Sequence, residues 1–173
     1  MKPTYRMPFK RRRLGKTDYK KRLKLLLSGK PRLVVRRSLK YISAQVIQFS
    51  SEGDKTIVSA ISKELKKLGW KFACDNLPAA YLTGLLIGKR ALEKDIKEAI
   101  LDMGLYRSTK GNRIYAVVKG AMDAGLKIPC NEKMLPSAER IKGLHIASYN
   151  EKFKSIVDEF EKIKQKILGE ENA

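Results

Sequence analysis

Metal ligands are scarce in this sequence: it has one histidine, His145, and two cysteines, Cys74 and Cys130. A zinc site needs several Cys or His ligands at short spacings, and these three are scattered. Two isolated cysteines also make no disulfide framework and read as buried thiols. No run of about 18 apolar residues occurs, so nothing is expected to span a membrane. The basic run Arg11–Arg13 is followed by no apolar stretch, so the N-terminus does not read as a secretory signal. No glycine-rich dinucleotide fingerprint and no nucleophile–base pair stand out. The nearest approach to a phosphate loop runs from Gly84 to Lys89. It has three residues between its glycines, Gly84 and Gly88, where four are needed, and Arg90 where Ser or Thr would hold Mg²⁺. The acids Glu98 and Asp102 are more cheaply explained by surface solubility than as metal-binding carboxylates of a nuclease. No catalytic residue, metal, cofactor or small-molecule substrate is therefore expected.

Acidic residues are missing from one place in particular. Residues 1–40 hold 16 Lys and Arg against a single acid, Asp18, for a net +15. The rest of the chain holds 22 basic and 17 acidic residues, a net of only +5. A surface charged merely for solubility mixes both signs along its length. A basic arm on a nearly balanced globule is the pattern of a phosphate-binding extension. The globule itself is real, since hydrophobic residues make up 43% of the 173, enough for one good core. Aromatic residues lie within or just after the arm: Tyr5, Phe9, Tyr19 and Tyr41. They either stack on unpaired bases or pack on the domain and anchor the arm.

Pattern along the chain predicts a mixed α/β fold. Residues 1–16, with Pro3, Pro8 and Gly15, read as an extended tail ordered by a partner. Thr17 and Asp18 cap a helix carrying Leu23, Leu26 and Leu27 on one face and Lys20, Lys21 and Lys24 on another. Strands are expected at Arg32–Arg37, Tyr41–Phe49 and Thr56–Ala60, joined by tight turns into an antiparallel meander. A short helix over Ser62–Leu68 is stopped by Gly69. Leucines at helical spacing predict a helix over Pro78–Lys94, whose Gly84 and Gly88 allow close approach to a sheet. A strand at Ala99–Met103 and a helix over Gly111–Gly125 complete strand–helix–strand–helix after the meander. Pro136–Tyr149 and the amphipathic stretch Glu151–Leu168 read as C-terminal helices. The stripe Phe153, Ile156, Val157, Phe160, Ile163 and Ile167 is expected to pack on the domain. The expected organisation is a basic arm with its helix over 1–28, a globular domain over 29–134 and a helical extension over 135–173.

The first strand sets function against core. Neighbours on a strand point to opposite faces. Arg32 and Arg36 thus share a side with Val34, while Leu33, Val35 and Arg37 share the other. At least one arginine must lie near a rim, and Arg37, beside Ser38, is the expected one. With few acids nearby, these guanidiniums are read as phosphate contacts.

Several stretches carry a resemblance. They are Met7–Arg13 leading to Thr17-Asp18-Tyr19, Lys30–Ser38, and Ala79–Leu86. Leu101–Leu105, Gly120–Leu126 and His145-Ile146-Ala147 follow in order. Together they resemble the large-subunit ribosomal protein family eighteen, in its archaeal form. The resemblance implies an α/β fold with some likeness to ribonuclease H, without its catalysis. It implies binding to 5S rRNA, contact with 23S rRNA, neighbouring large-subunit proteins, and a place in the central protuberance of the cytoplasmic ribosome. By position it points to Arg11, Arg12, Arg13, Tyr19 and Arg22 on the arm. It also points to Lys30, Arg32, Arg36, Arg37, Lys40 and Tyr41 on and after the basic strand. Charge and aromatic content add Tyr5, Arg6, Lys10 and Lys16. The competing readings are an RNA-processing enzyme on a ribonuclease H-like fold, which needs converging carboxylates around Mg²⁺, and a general DNA- or membrane-surface binder.

Overall fold

The computed structural model describes Thr4 and residues 6–169. The expected extended tail contains one helical turn, α1, Lys10–Arg13, with every residue exposed. Helix α2, Tyr19–Leu26, starts where expected, because the Asp18 carboxylate accepts from the Lys20 and Lys21 amides at 3.0 and 3.1 Å. Its leucines form no buried face. Leu23 and Leu27 are 60% and 79% exposed, so the amphipathic pattern here does not mark core.

The meander follows as β1, Arg32–Arg37, β2, Ile42–Gln48, and β3, Lys55–Ile61. Ser62–Leu68 forms the expected short helix, of the 3₁₀ type, and Gly69 ends it at φ +107°. Next come α3, Leu77–Leu92, β4, Ile100–Asp102, and α4, Arg113–Asp123. Strand β4 returns parallel to β1, a pairing that requires the crossover α3 provides. The sheet order is β3–β2–β1–β4, with the meander pairs antiparallel. The fold is thus mixed α/β. The Pro136–Tyr149 segment splits at Gly143, φ +86°, into α5, Ala138–Lys142, and α6, Leu144–Ala147. Helix α7, Ile156–Leu168, begins after a 3₁₀ turn at Glu151–Phe153.

One face of the sheet carries Leu33, Val35, Ile42, Ala44, Val46, Val58 and Ala60, all buried, with α3 and α4 packed against it. Twelve of the sixteen α3 residues are buried, as a helix enclosed on several sides requires. Behind α3 lies α7, with Phe160, Ile163 and Ile167 buried and the Phe160 ring 5.6 Å from that of Tyr81. The amphipathic tail therefore packs on the domain, although Phe153 at its start stays 38% exposed. Cys74 is a buried free thiol and Cys130 a half-buried one. The opposite face of the sheet is largely open, with Ser59, Ile57 and Ile61 exposed and Ser43, Gln45 and Ile47 half-buried.

Gly84 and Gly88 give close approach, but to a helix and not to the sheet. A Cβ on Gly84 would lie 2.1 Å from the Val117 carbonyl oxygen, and one on Gly88 would meet Ala121 of α4 and Ala124 at its C-terminal end. Gly120 answers from α4, where a Cβ would stand 2.1 Å from the Tyr81 carbonyl oxygen. Backbone against backbone leaves no flexible side chain to yield. Gly84→Ala should force the helices apart at a cost of about 1–3 kcal/mol or more, lowering the melting midpoint by several degrees. An unchanged midpoint in a thermal melt would contradict this packing.

Candidate nucleic-acid interface

The open sheet face, α1, α2 and the connection from β4 to α4 enclose a cleft of about 740 Å³. It gathers residues from distant parts of the chain. Arg11, Lys16, Lys21, Arg22 and Lys24 come from the arm and α2, Arg32 and Arg36 from β1, and Arg107 from the far connection. Against these eight cations stand Asp18, Asp54 and Asp102. Five of the sequence-predicted residues thus meet in one place: Arg11, Lys16, Arg22, Arg32 and Arg36.

Beneath the cleft runs a chain of alternating charges. Arg22 reaches from α2 to both oxygens of Asp54, at 2.9 and 3.0 Å. Arg32 bonds Asp54 with one terminal nitrogen and Asp102 with the other, both at 2.7 Å. Arg36 bonds the second Asp102 oxygen at 3.2 Å and also the Asp102 and Val35 backbone carbonyls. The Gly104 amide donates to Asp102 at 2.8 Å. Burial alone would raise the Asp102 carboxyl. The Gly104 amide and the guanidiniums of Arg36 and Arg32 outweigh it and hold the group below its ordinary range.

Two expectations change here. Arg32 is only 3% exposed, so it is a buried anchor and not part of an outward row of guanidiniums. Asp102, expected as a surface acid, is 7% exposed at the centre of the network. The deciding fact is the parallel pairing of β1 with β4, which sets Val34 opposite Asp102 and brings the carboxylate between Arg32 and Arg36. Both carboxylates are occupied by guanidiniums, whereas a two-metal nuclease needs them free to converge on Mg²⁺. The arrangement is an ion-paired anchor, not a catalytic pair.

The remaining expected residues are dispersed. Arg6, Lys10, Arg12 and Arg13 are exposed along the arm. Arg37 is at the rim, as expected, its guanidinium 5.0 Å from the centre of the Tyr106 ring. Lys40 is exposed in the β1–β2 turn, beside Leu39 at 95% exposure. Lys30 pairs with Glu98, whose carboxyl is held low by that hydrogen bond and charge. Tyr41 is half-buried against the core, and Tyr19 stacks at 5.3 Å on Phe9. Tyr41 thus packs its segment on the domain, whereas Tyr19 and the exposed Phe9 meet within the arm. Tyr5 lies outside the described residues.

Asp54, Tyr106 and Arg107 are the participants that sequence reasoning missed. Each belongs to the site only because segments far apart in the chain meet at the cleft, and no local signal marks them.

Among the described residues no helix is long and apolar enough to cross a membrane. Compared with known families, residues 3–98 and 93–131 match the model described as ribosomal large subunit proteins 60S L5 and 50S L18. The large ribosomal subunit protein uL18 of Methanococcus maripaludis is 53% identical over 168 residues, covering 97% of this chain and 87% of that protein. A basic arm with an ion-paired anchor on an α/β globule and a match along nearly the whole chain agree: this chain belongs to the ribosomal large-subunit protein family of 60S L5 and 50S L18.

Proposed function

We propose that this protein binds 5S rRNA, contacts 23S rRNA, and so attaches 5S rRNA to the large subunit in the central protuberance, beside neighbouring ribosomal proteins. The observation that carries RNA binding is the concentration on the arm and α2 of exposed cations, Arg6, Lys10, Arg12, Arg13, Lys16, Lys20, Lys21 and Lys24, whose side chains have no hydrogen-bond or ion-pair partner among the described residues, next to an open sheet face. Such a surface is repelled by itself and neutralised by a polyanion. The choice of 5S rRNA follows from the family resemblance. In this reading residues 1–28 are the binding arm, 29–134 the domain that holds it, and 135–173 a helical extension. Arg37, Lys40 and the exposed Leu39 extend the contact along the β1–β2 turn, and Arg22 and Arg36 contribute from the edge of the anchored network.

The test is a titration of labelled 5S rRNA with the whole chain and with a chain lacking residues 1–16, with duplex DNA and anionic vesicles as competitors. The whole chain should bind 5S rRNA tightly, and neither competitor should displace it at matched charge. Removing residues 1–16 should cut RNA affinity sharply while the melting midpoint of the free protein barely moves, because α1 buries no residue. A large loss of stability would show that the arm is part of the core. Equal competition by duplex DNA would reduce the reading to non-specific polyanion binding.

A further inference from the structure

The cleft has two walls, and only one of them is the basic arm. The other is the connection Met103–Ser108, which leaves β4 and crosses the end of β1. Three observations bear on what this second wall does. Arg107 is exposed and, among the described residues, has no hydrogen-bond or ion-pair partner. It lines the same cleft as Arg11, Lys16, Lys21 and Lys24, from a segment about 80 residues further along the chain. Like charges lining two sides of one cleft oppose each other in the free protein and are relieved by an anion that enters between them.

The second observation is that this wall is pinned. The chain turns at Gly104, φ +61°, where a Cβ would sit 3.0 Å from the Arg36 guanidinium. The Gly104 amide bonds Asp102, and the Tyr106 hydroxyl donates to the Arg37 carbonyl at 2.7 Å while its ring lies against the Arg37 guanidinium. A loop fixed in this way loses little conformational freedom when a ligand arrives.

The third is the shape and lining of the space. Its floor includes Val34 and Ile47, an apolar surface suited to a base. About 740 Å³ is in the range of small-molecule sites. What fits is an unpaired nucleotide with its phosphates, not a paired helix, and splayed single-stranded bases are what RNA-binding clefts generally read.

We propose that Met103–Ser108 is the second jaw of an RNA clamp. An unpaired stretch of the bound RNA enters the cleft, its phosphates bridge Arg107 to Arg11, Lys16 and Lys21, and one base rests on the Val34–Ile47 floor. This rests on the RNA-binding reading above and names a contact residue that neither charge runs nor resemblance indicated.

The experiment is a 5S rRNA titration over a salt series with the whole chain carrying Arg107→Ala, Arg107→Lys, or Lys162→Ala. Lys162 is exposed on α7, the helix behind α3, and serves as a control of equal charge change. Arg107→Ala should weaken binding about ten- to a hundredfold. It should also make the dependence of log affinity on log salt shallower by about 0.7–0.9. Arg107→Lys should recover part of the affinity and the full slope. Lys162→Ala should change neither appreciably, and all melting midpoints should match the parent protein. If Arg107→Ala binds like Lys162→Ala while the arm deletion still loses affinity, the clamp is wrong and the RNA reading stands. If the arm deletion also binds normally, the RNA reading itself fails. A lowered midpoint for Arg107→Ala would make the side chain structural and overturn the proposal.

Discussion

Between 50 and 200 mM salt, the affinity of this protein for 5S rRNA should fall by about 10³–10⁵, the response expected when on the order of 6–10 phosphates are neutralised. The structure supports that number of contacts. Within the first 40 residues Arg6, Lys10, Arg12, Arg13, Lys16, Lys20, Lys21, Lys24 and Lys40 are exposed and, among the described residues, their side chains have no hydrogen-bond or ion-pair partner. Arg22, Lys30 and Arg32 are already held by Asp54, Glu98 and Asp102, and should release fewer counterions. Where the bound RNA is single-stranded each contact contributes a smaller slope, which favours the lower end of the range. The measurement is an equilibrium titration at several salt concentrations. A nearly flat response would mean that the net +15 of the arm is not what holds the RNA.

How much of this was legible in the sequence depends on how local each feature is. Strand β1 coincides with its expected span because the Leu33-Val34-Val35 run and its turn signals lie within a few residues of each other. The Asp18 cap and the α7 stripe are local in the same sense. The leucines of α2 misled because periodicity reports a face but not whether anything covers it. The single turn α1 escaped because a run of four cations has no apolar period to betray it. Gly84 and Gly88 did signal close approach, but the partner, α4, could be named only once Gly120 was seen against Tyr81. Within the candidate site, the arm was visible from charge alone. Arg32 was named from its charge, but its role as a buried anchor was not legible, because its burial depends on Asp102, 70 residues away in sequence and delivered by a parallel strand pairing that no nearby pattern announces.

That pairing carries the largest stability effect expected of a single substitution here. Asp102→Ala should lower stability by about 3–5 kcal/mol, the cost of leaving a buried ion without its partner. This is a large share of the 5–15 kcal/mol typical of a folded domain. The Arg32 side chain is 4% exposed and the Asp102 side chain 9%, so water cannot replace the lost carboxylate. Among the described residues Arg32 Nε already lacks a hydrogen-bond partner, which leaves the guanidinium little to fall back on except Asp54. Arg36, with a side chain 42% exposed, can turn toward solvent and should contribute little to the loss. The damage therefore comes from the uncompensated charge of Arg32, and removing that charge should repair it. Arg32→Met combined with Asp102→Leu should regain most of the stability, since an apolar pair avoids the desolvation that the ion pair must offset. Acid provides an independent check. A carboxyl held below its ordinary range stabilises the fold above that range and loses the contribution as pH falls through its lower folded value. The midpoint difference between the parent and Asp102→Ala should be full near neutral pH and shrink below about pH 4. Denaturant melts of the parent, the single variant and the double variant at pH 7 and under acid decide the matter. A single variant within about 1 kcal/mol of the parent at pH 7 would place Asp102 among ordinary surface ion pairs and remove the anchor on which the geometry of Arg36 and the Gly104 turn depends.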